Sequence, residues 1–488
     1  MIVIGYTLLV LYLICVLCIT TYCVLQADLL VSYRKEHDTS TPPMPIPAPR
    51  VTIQLPLYNE QYVVERLMDN IVKMDYPSDR LQIQVIDDSD DETVEIIAKK
   101  VAFYKTQGLD VVHVRRPNRQ GFKAGALKDA MPDATGEFLA IFDADFVPNT
   151  DFLQKTIPHF FKDEKVGVVQ TRWEHLNENY STITALQALQ LNVHFTVEQA
   201  GRSRGGLFLQ FNGTAGVWRR TTIEDAGGWH SDTLTEDLDL SYRAQSKGWR
   251  IEYLEEVGSP AELPADMNGL KGQQFRWMKG GAENARKLLN LVWHTKLTNR
   301  QRIHATQHLL ASGVFMLLFF AAVISVPLAY CIPHIDVNTH LFNVSLIGMF
   351  SIFALTFEAN LEKTVRKRDY WRSFFRVSRL IIVFIPMAMG MSFHNSVAVL
   401  EGYSGRKSDF VRTPKFGLND KDGTFRKRSY LPKVLPISTV FEGLLACYFL
   451  AGAYWGFTHK VYEFVVFHIL LTIGFACISF FSIKHLNR

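Results

Sequence analysis

Phe138-Leu-Ala-Ile-Phe142 runs directly into Asp143-Ala-Asp145. Five apolar residues without a polar break read as a strand buried on both faces, and such strands belong to parallel sheets covered by helices. The same grammar recurs upstream. Val51-Thr-Ile-Gln-Leu55 leads into Pro56-Leu-Tyr58-Asn-Glu60, Leu81-Gln-Ile-Gln-Val-Ile86 leads into Asp87-Asp88, and Val111–Val114 supplies a third strand before Phe138. Amphipathic stretches lie between the runs, so the order predicts an α/β domain: a mostly parallel sheet flanked by helices. Ligands of such sheets gather beyond the carboxyl ends of the strands, where the acidic residues stand.

Those acids suggest a charged ligand. Mg²⁺ or Mn²⁺ takes one or two carboxylates together with phosphate oxygens, and a turn after the strand brings Asp143 and Asp145 to one ion. A lone D-x-D is common on surface loops; Asp87-Asp88 at the end of an independent strand gives this one weight. Arg119-Gln-Gly-Phe-Lys123-Ala-Gly-Ala-Leu127 adds cations and small residues at the same edge, although alone it reads as a basic loop opening a helix. In Leu234-Thr-Glu236-Asp237-Leu-Asp239-Leu240, Asp237 either caps a helix or is the carboxylate base that transfer to a hydroxyl needs. Glu236 and Asp239 are weaker candidates for the base. Gln273-Gln-Phe-Arg276-Trp277 offers an indole face for a sugar ring and polar arms for phosphates and hydroxyls; the alternative is an interfacial helix with a belt tryptophan.

The rest of the chain is a membrane protein's. Of 488 residues 48% are hydrophobic, and they crowd into the two ends. The net charge of +4 is too small an excess for a nucleic-acid binder. Six cysteines fall mostly inside apolar runs; Cys15-Val-Leu-Cys18 is a lone C-x-x-C in such a run, without the second pair of a zinc site, and all six read as packing residues. Met1–Ala27 carries no charge and is long enough for an anchor. Arg34 and Lys35 place its end in the cytosol by the positive-inside rule. Further apolar stretches are His308–Ile335, Val337–Phe357, Leu380–Leu400, Val434–Thr458 and Val461–Ile483. Leu380–Leu400 has basic residues on both flanks, from Lys363 to Arg379 and from Arg406 to Arg428, whereas Pro333–His340 has none. The expectation is five spans, with Leu380–Leu400 lying in the interface, the N-terminus outside and the C-terminus inside; the alternative is six spans. Glu442, within an apolar stretch, is either functional or close enough to the headgroups to reach water.

Taken in order, Asp87-Asp88, Asp143-Ala-Asp145, Thr235-Glu-Asp237 and Gln273-Gln-Phe-Arg276-Trp277 resemble the processive family-2 glycosyltransferases, the cellulose, chitin and hyaluronan synthases. His194-Phe-Thr-Val-Glu-Gln199, Phe211-Asn-Gly-Thr-Ala-Gly-Val-Trp218, Ala226-Gly-Gly-Trp229 and Ser259-Pro-Ala-Glu-Leu-Pro264 are similar to the cellulose-synthase-like mannan and glucan synthases of plants. The resemblance runs from about Pro49 to Gly417 and implies a GT-A-type domain, at 49–300, with assigned roles. Tyr58 and Glu60 lie at the base, and Asp87, Asp88 and Lys123 contact the nucleotide. Asp143 and Asp145 hold the metal diphosphate, and Asp237 is the general base. Gln273, Arg276 and Trp277 bind the diphosphate and the acceptor sugar at a channel mouth. Asn212, Gly213 and Thr214 line the acceptor pocket, together with Glu236. Phe410-Val-Arg412-Thr413-Pro-Lys415 looks like the gating loop of cellulose synthases, at 404–430, with Thr413 and Lys415 reaching the diphosphate; Arg412 replaces the Val of that pattern. Glu178–Arg202 is either a helix under the membrane domain or one covering the sheet.

The implied activity is an inverting, processive β-glycan synthase. It draws on a nucleotide-sugar of the UDP-glucose or GDP-mannose type, a polysaccharide acceptor, a lipid bilayer and a divalent Mg²⁺ or Mn²⁺. Export modules, where needed, are expected to be separate chains. Two rival readings remain: transfer of one sugar to a membrane lipid, and a non-catalytic channel or transporter.

Overall fold

A computed structural model describes residues 1–338, 341–342, 344–361, 367–408, 410–419 and 434–486. Lys363, Arg366, Arg428 and the end of the gating-like loop, from 420, lie outside the described residues. Seven strands form one sheet in the order β3-β2-β1-β4-β6-β5-β7. β1 (Val51–Leu57), β2 (Leu81–Asp87), β3 (Asp110–Arg115) and β4 (Phe138–Ile141) are mutually parallel, as the alternation predicts. β6 (Gly216–Arg219) runs antiparallel between β4 and β5 (Val166–His175), and β7 (Arg250–Ala261) lies parallel to β5.

One face of β1 and β2 is aliphatic: Val51, Ile53, Leu55, Ile83 and Val85 pack on Leu67, Ile71, Ile97 and Val101. The other face carries buried amides that satisfy one another across the strands. Thr52 Oγ1 donates to Gln82 Oε1 at 2.8 Å, Gln54 Nε2 to Gln84 Oε1 at 3.0 Å, and Gln84 Nε2 to the Ala130 carbonyl at 3.2 Å. A slip of one residue would strand these groups at about 1–3 kcal/mol each. The ladder therefore holds the register in which Leu57 lies opposite Asp87. That levels the strand ends, so Glu60, Asp88 and Asp143 meet at one rim.

Among the described residues, five helices are long and apolar enough to cross a membrane: Ile2–Tyr33, Gly313–His334, Tyr370–Gly390, Ile437–Thr458 and Tyr462–Lys484. They mark a multi-pass integral membrane protein, but the set differs from the sequence expectation in two places. Within the apolar stretch Val337–Phe357 the described helix is Val344–Asn360, 17 residues, shorter than a span needs. Leu380–Leu400 is not a single helix. It divides at Met391 into Lys367–Gly390 and Ser392–Ser404. The break falls where Gly390 crosses Gly474 backbone to backbone; a Cβ on Gly390 would come within 2.4 Å of the Gly474 carbonyl carbon. Beyond it, buried Ser392, Asn395 and Ser396 suit packing against protein rather than lipid.

Glu178–Arg202 takes on both expected roles. Leu189, in helix Thr182–Asn192, packs on Val377 and Ile381 of the membrane domain, while Phe195 and Val197 enter the core beneath the sheet. Glu442 is fully buried and ion-paired at 2.7 Å with Lys271. Lys271 lies on helix Met267–His294, which carries Gln273–Trp277. Stranding one member of a buried pair costs about 3–5 kcal/mol, whereas replacing both with apolar residues is often neutral. Lys271→Met or Glu442→Met alone is expected to lower the thermal midpoint of the detergent-solubilised protein, and the double variant to recover most of the loss. A double variant as unstable as the single ones would refute the pairing.

Candidate active site

Beyond the carboxyl ends of β1, β2 and β4 the chain forms an open cleft, covered by helix Met267–His294 and the segment from Phe410 to Lys415.

The acidic centre is built from the strand ends inward. Thr214 Oγ1 accepts the Asp143 N–H at 2.9 Å, which fixes the turn after β4. Lys123 bridges the Asp143 carboxylate and the Gly213 carbonyl, the latter at 2.9 Å. Gly213 has φ +78°, and a Cβ there would stand 3.1 Å from Asp237 Oδ2. A side chain is excluded on both counts. Asp145 Oδ2 accepts from Lys415 Nζ at 2.5 Å. Glu60 forms an ion pair with Arg412 at 3.0 Å, and its burial pushes the carboxyl up to about 8 against the pull of Arg412 and Lys415.

Asp237 occupies the first turn of helix Glu236–Ser246, whose N-cap is Thr235. It is therefore not the cap. The helix start is pinned from two sides: Ser241 Oγ bonds the Phe211 N–H at 2.9 Å, and Asn284 Nδ2 donates to Thr235 Oγ1 at 2.8 Å. Burial first, then the charge of Glu236, pushes Asp237 up to about 7. Only the deprotonated form can accept a proton, so any base function here fades as pH falls.

Arg276 and the gating-like segment hold each other. Arg276 donates to the Val411 carbonyl and, at 2.6 Å, to Thr413 Oγ1, and stacks over Phe410 at 4.9 Å. Glu262 Oε1 and Oε2 accept the Phe416 and Leu418 N–H groups at 2.8 and 3.0 Å. Opposite, Arg119 lies 3.3 Å from the ring centre of Tyr58, a flat platform near Asp88.

Tyr58, Glu60, Asp88, Lys123, Asp143, Asp145, Asn212, Gly213, Glu236, Asp237, Gln273, Arg276, Trp277, Thr413 and Lys415 thus share one cleft. Two expected residues stand behind it. Asp87, 1% exposed, accepts from the Ser89 N–H at 2.9 Å and meets His113 at 2.9 Å, bracing the end of β2. Thr214 acts through Asp143. The sequence reading assigned no role to Arg119, Trp173, His175 or Glu262, which also line the cleft. Glu262 falls in the quoted Ser259–Pro264 stretch, and Arg119 in the basic loop, but neither pattern names a partner.

Asp143 and Asp145 each meet an ammonium group, from Lys123 and Lys415. Two hard carboxylates that draw cations at a diphosphate-sized cleft fit Mg²⁺ or Mn²⁺. Among the described residues, tighter His/Asp/Glu groupings occur at His37, Glu255 and Glu256 and at His230, Asp232 and Asp239. Neither lines this cleft, and Asp239 is already neutralised by Arg243 and Lys287 at 2.7 and 2.9 Å.

Comparison with known proteins agrees with this geometry. Residues 48–280 match the family described as glycosyltransferase like family 2. The chain is 32% identical over 417 residues to a probable glucomannan 4-beta-mannosyltransferase 15 of Arabidopsis thaliana, covering 82% of this chain and 74% of the relative. It is 33% identical over 422 residues to glucomannan 4-beta-mannosyltransferase 1 of Oryza sativa subsp. japonica, covering 83% and 77%. Among solved structures, the mannosyltransferase PcManGT of Pyrobaculum calidifontis, in complex with GDP-Man and Mn²⁺, superposes with a TM-score of 0.55 at 20% identity, over 83% of this chain and 99% of that one. At that identity the likeness is one of fold.

Lys415 Nζ stands 2.5 Å from Asp145 Oδ2, so a cation held by that carboxylate would have to compete with it. Lys415→Met is expected to tighten Mn²⁺ binding to the nucleotide-free protein by about tenfold, the equivalent of one modest charge-assisted contact, in an electron-paramagnetic-resonance titration. Unchanged affinity would mean that Asp145 is not part of the cation site.

Proposed function

The chain belongs to the cellulose-synthase-like glycosyltransferases of family 2, and from that premise we propose that it polymerises a β-linked mannan or glucomannan from a cytosolic nucleotide-sugar, with GDP-mannose the leading donor. The polymer leaves between the membrane helices. One observation carries the reading: Asp143, Asp145, Asp237 and Trp277 line a single cleft, and the helix bearing Trp277 is ion-paired to a membrane helix at its first turns. The curated relatives, named for glucomannan mannosyl transfer, support the choice of sugar.

In this mechanism the base stacks on the Tyr58–Arg119 platform, and Lys123 and Arg276 face the diphosphate. A divalent cation, held by Asp143 and Asp145, would neutralise the diphosphate and make it a better leaving group. Trp277 presents the acceptor's terminal sugar to Asp237, which takes the proton of the attacking hydroxyl. With one base and one displacement, the anomeric configuration inverts from α to β. The segment Phe410–Lys415 closes over the donor through Thr413 and Lys415. Arg412 fits that closure, because it meets Glu60 on the opposite wall.

Asp237→Asn is expected to reduce transfer by about 10²–10⁴-fold, the usual worth of a positioned base, with donor binding retained. In the wild type, kcat/KM is expected to fall on the acid side with a midpoint near the raised Asp237 value of about 7. Purified protein in nanodiscs, supplied with GDP-mannose, UDP-glucose or both and Mn²⁺, should yield a polymer that β-mannanase digests. A single sugar on a lipid would overturn processivity, and full activity in Asp237→Asn would remove the assigned base.

A further inference from the structure

A patch away from the cleft has no part in the mechanism above. Helix Lys367–Gly390 begins beside the catalytic domain, where Arg376 meets Glu178 at 3.8 Å and Val377 and Ile381 pack on Leu189. It ends against Gly474, at the middle of helix Val465–Lys484. The last turn of that second helix also reaches the catalytic domain, since His485 Nδ1 accepts the Met267 N–H at 3.1 Å. From the crossing, the stretches back to Arg379 and on to Lys484 each measure about 15–17 Å. Half the hydrocarbon core of a bilayer is about 15 Å. Arg379 and Lys484 therefore stand together at the headgroups of the leaflet next to the catalytic domain.

Three stripes divide this part of the helix. Val377 and Ile381 face protein, as does Phe374, which stacks on Phe357 at 5.0 Å. Trp371, Phe375 and Ile382 share a second face and are 60%, 65% and 71% exposed. Arg372, Arg376 and Arg379 are exposed on a third. At spacings of four and three they stand one above another, with Cβ atoms about 5–6 Å apart. Arg372 and Arg379 meet no carboxylate among the described residues. Orienting the chain in a membrane needs only basic residues somewhere near the end of a span. A column of guanidinium forks is more specific, because each fork matches two phosphate oxygens. The exposed aromatic strip alongside it matches the acyl chains that such a phosphate would carry.

We propose that Arg372, Arg376 and Arg379 bind the phosphate of an anionic phospholipid in the leaflet next to the catalytic domain, with its acyl chains against Trp371, Phe375 and Ile382. A lipid of net negative charge is selected because the column is positive and a zwitterionic headgroup cancels its own phosphate. The patch shares no residue with the catalytic cleft, so the proposal stands or falls apart from the synthase reading. A headgroup held there fastens the helix where it touches Glu178 and Leu189, and so fixes the height of the segment Glu178–Arg202 over the bilayer.

The test titrates the full chain in detergent with phosphatidylglycerol or phosphatidylcholine and reads the affinity of the first lipid retained by native mass spectrometry. Wild type is expected to favour phosphatidylglycerol by at least about tenfold, since each arginine near an anionic surface is worth about fivefold. Arg372→Gln with Arg379→Gln is expected to weaken phosphatidylglycerol by about 25-fold and to leave phosphatidylcholine unchanged. Trp371→Ala with Phe375→Ala is expected to weaken both lipids. Lys99→Gln with Lys105→Gln removes the same charge from exposed positions of helix Thr93–Thr106 and is expected to change neither. Equal wild-type affinity for the two lipids, wild-type behaviour in the arginine or the aromatic variant, or an equal loss in the lysine variant would each overturn the proposal. Excess glycerol 1-phosphate is expected to leave phosphatidylglycerol bound. Its displacement would mean that the column reads a soluble phosphate, and would overturn the lipid assignment.

Discussion

Five carboxylates, Glu60, Asp143, Asp145, Glu236 and Asp237, converge in one partly desolvated cleft, and their mutual repulsion is the constraint around which the structure is organised. In a medium of low effective dielectric, like charges at such separations repel by several kcal/mol. The chain answers in two ways. It brings cations from distant segments, with Lys123 to Asp143, Lys415 to Asp145 and Arg412 to Glu60. It also lets burial raise the carboxyls, Asp237 to about 7 and Glu60, despite Arg412, to about 8. Two of the three cations come from the gating-like segment.

This explains why an Arg can stand at 412 where the cellulose-synthase pattern has Val. In three dimensions the guanidinium faces Glu60 at 3.0 Å. The backbone just after Lys415 is then tied down by Glu262, through two N–H bonds. The loop is anchored by its main chain and aimed by its side chains, so the identity of one apolar position matters less than the opposing carboxylate.

What the sequence made legible follows from where the information is local. Apolar runs ending in acids fixed the strands, their parallel order and the rim at which Asp88, Asp143 and Asp145 stand, because strand period and strand end are both written within a few residues. The four motifs then met in one cleft. Asp87 was misplaced by one side chain because successive residues at a strand end face opposite ways, and only the register with His113 and Arg115 shows which is braced behind the sheet. Glu262 could not be assigned, since its partners are backbone groups more than 150 residues away. The division at Met391 was equally hidden: Pro386 lies inside the first helix without ending it, and the break falls instead where Gly390 meets Gly474.

Helix Met267–His294 connects these parts. Its cap, Asp266, accepts the Gly269 N–H at 2.7 Å, and its first turns are fastened to the membrane domain through Lys271 and Glu442 and through the Met267 N–H to His485 Nδ1 at 3.1 Å. Its middle supplies Arg276 and Trp277 to the cleft. About two turns later Asn284 holds Thr235, the cap of the helix that carries Asp237. Gly280 permits that approach, since a Cβ there would fall 2.5 Å from Thr235 Oγ1. One rigid rod therefore sets the distance from the membrane anchor to the sugar platform and from the platform to Asp237. In the synthase proposed above, that rod would give the growing chain's path toward the membrane and the geometry of transfer a common mechanical reference.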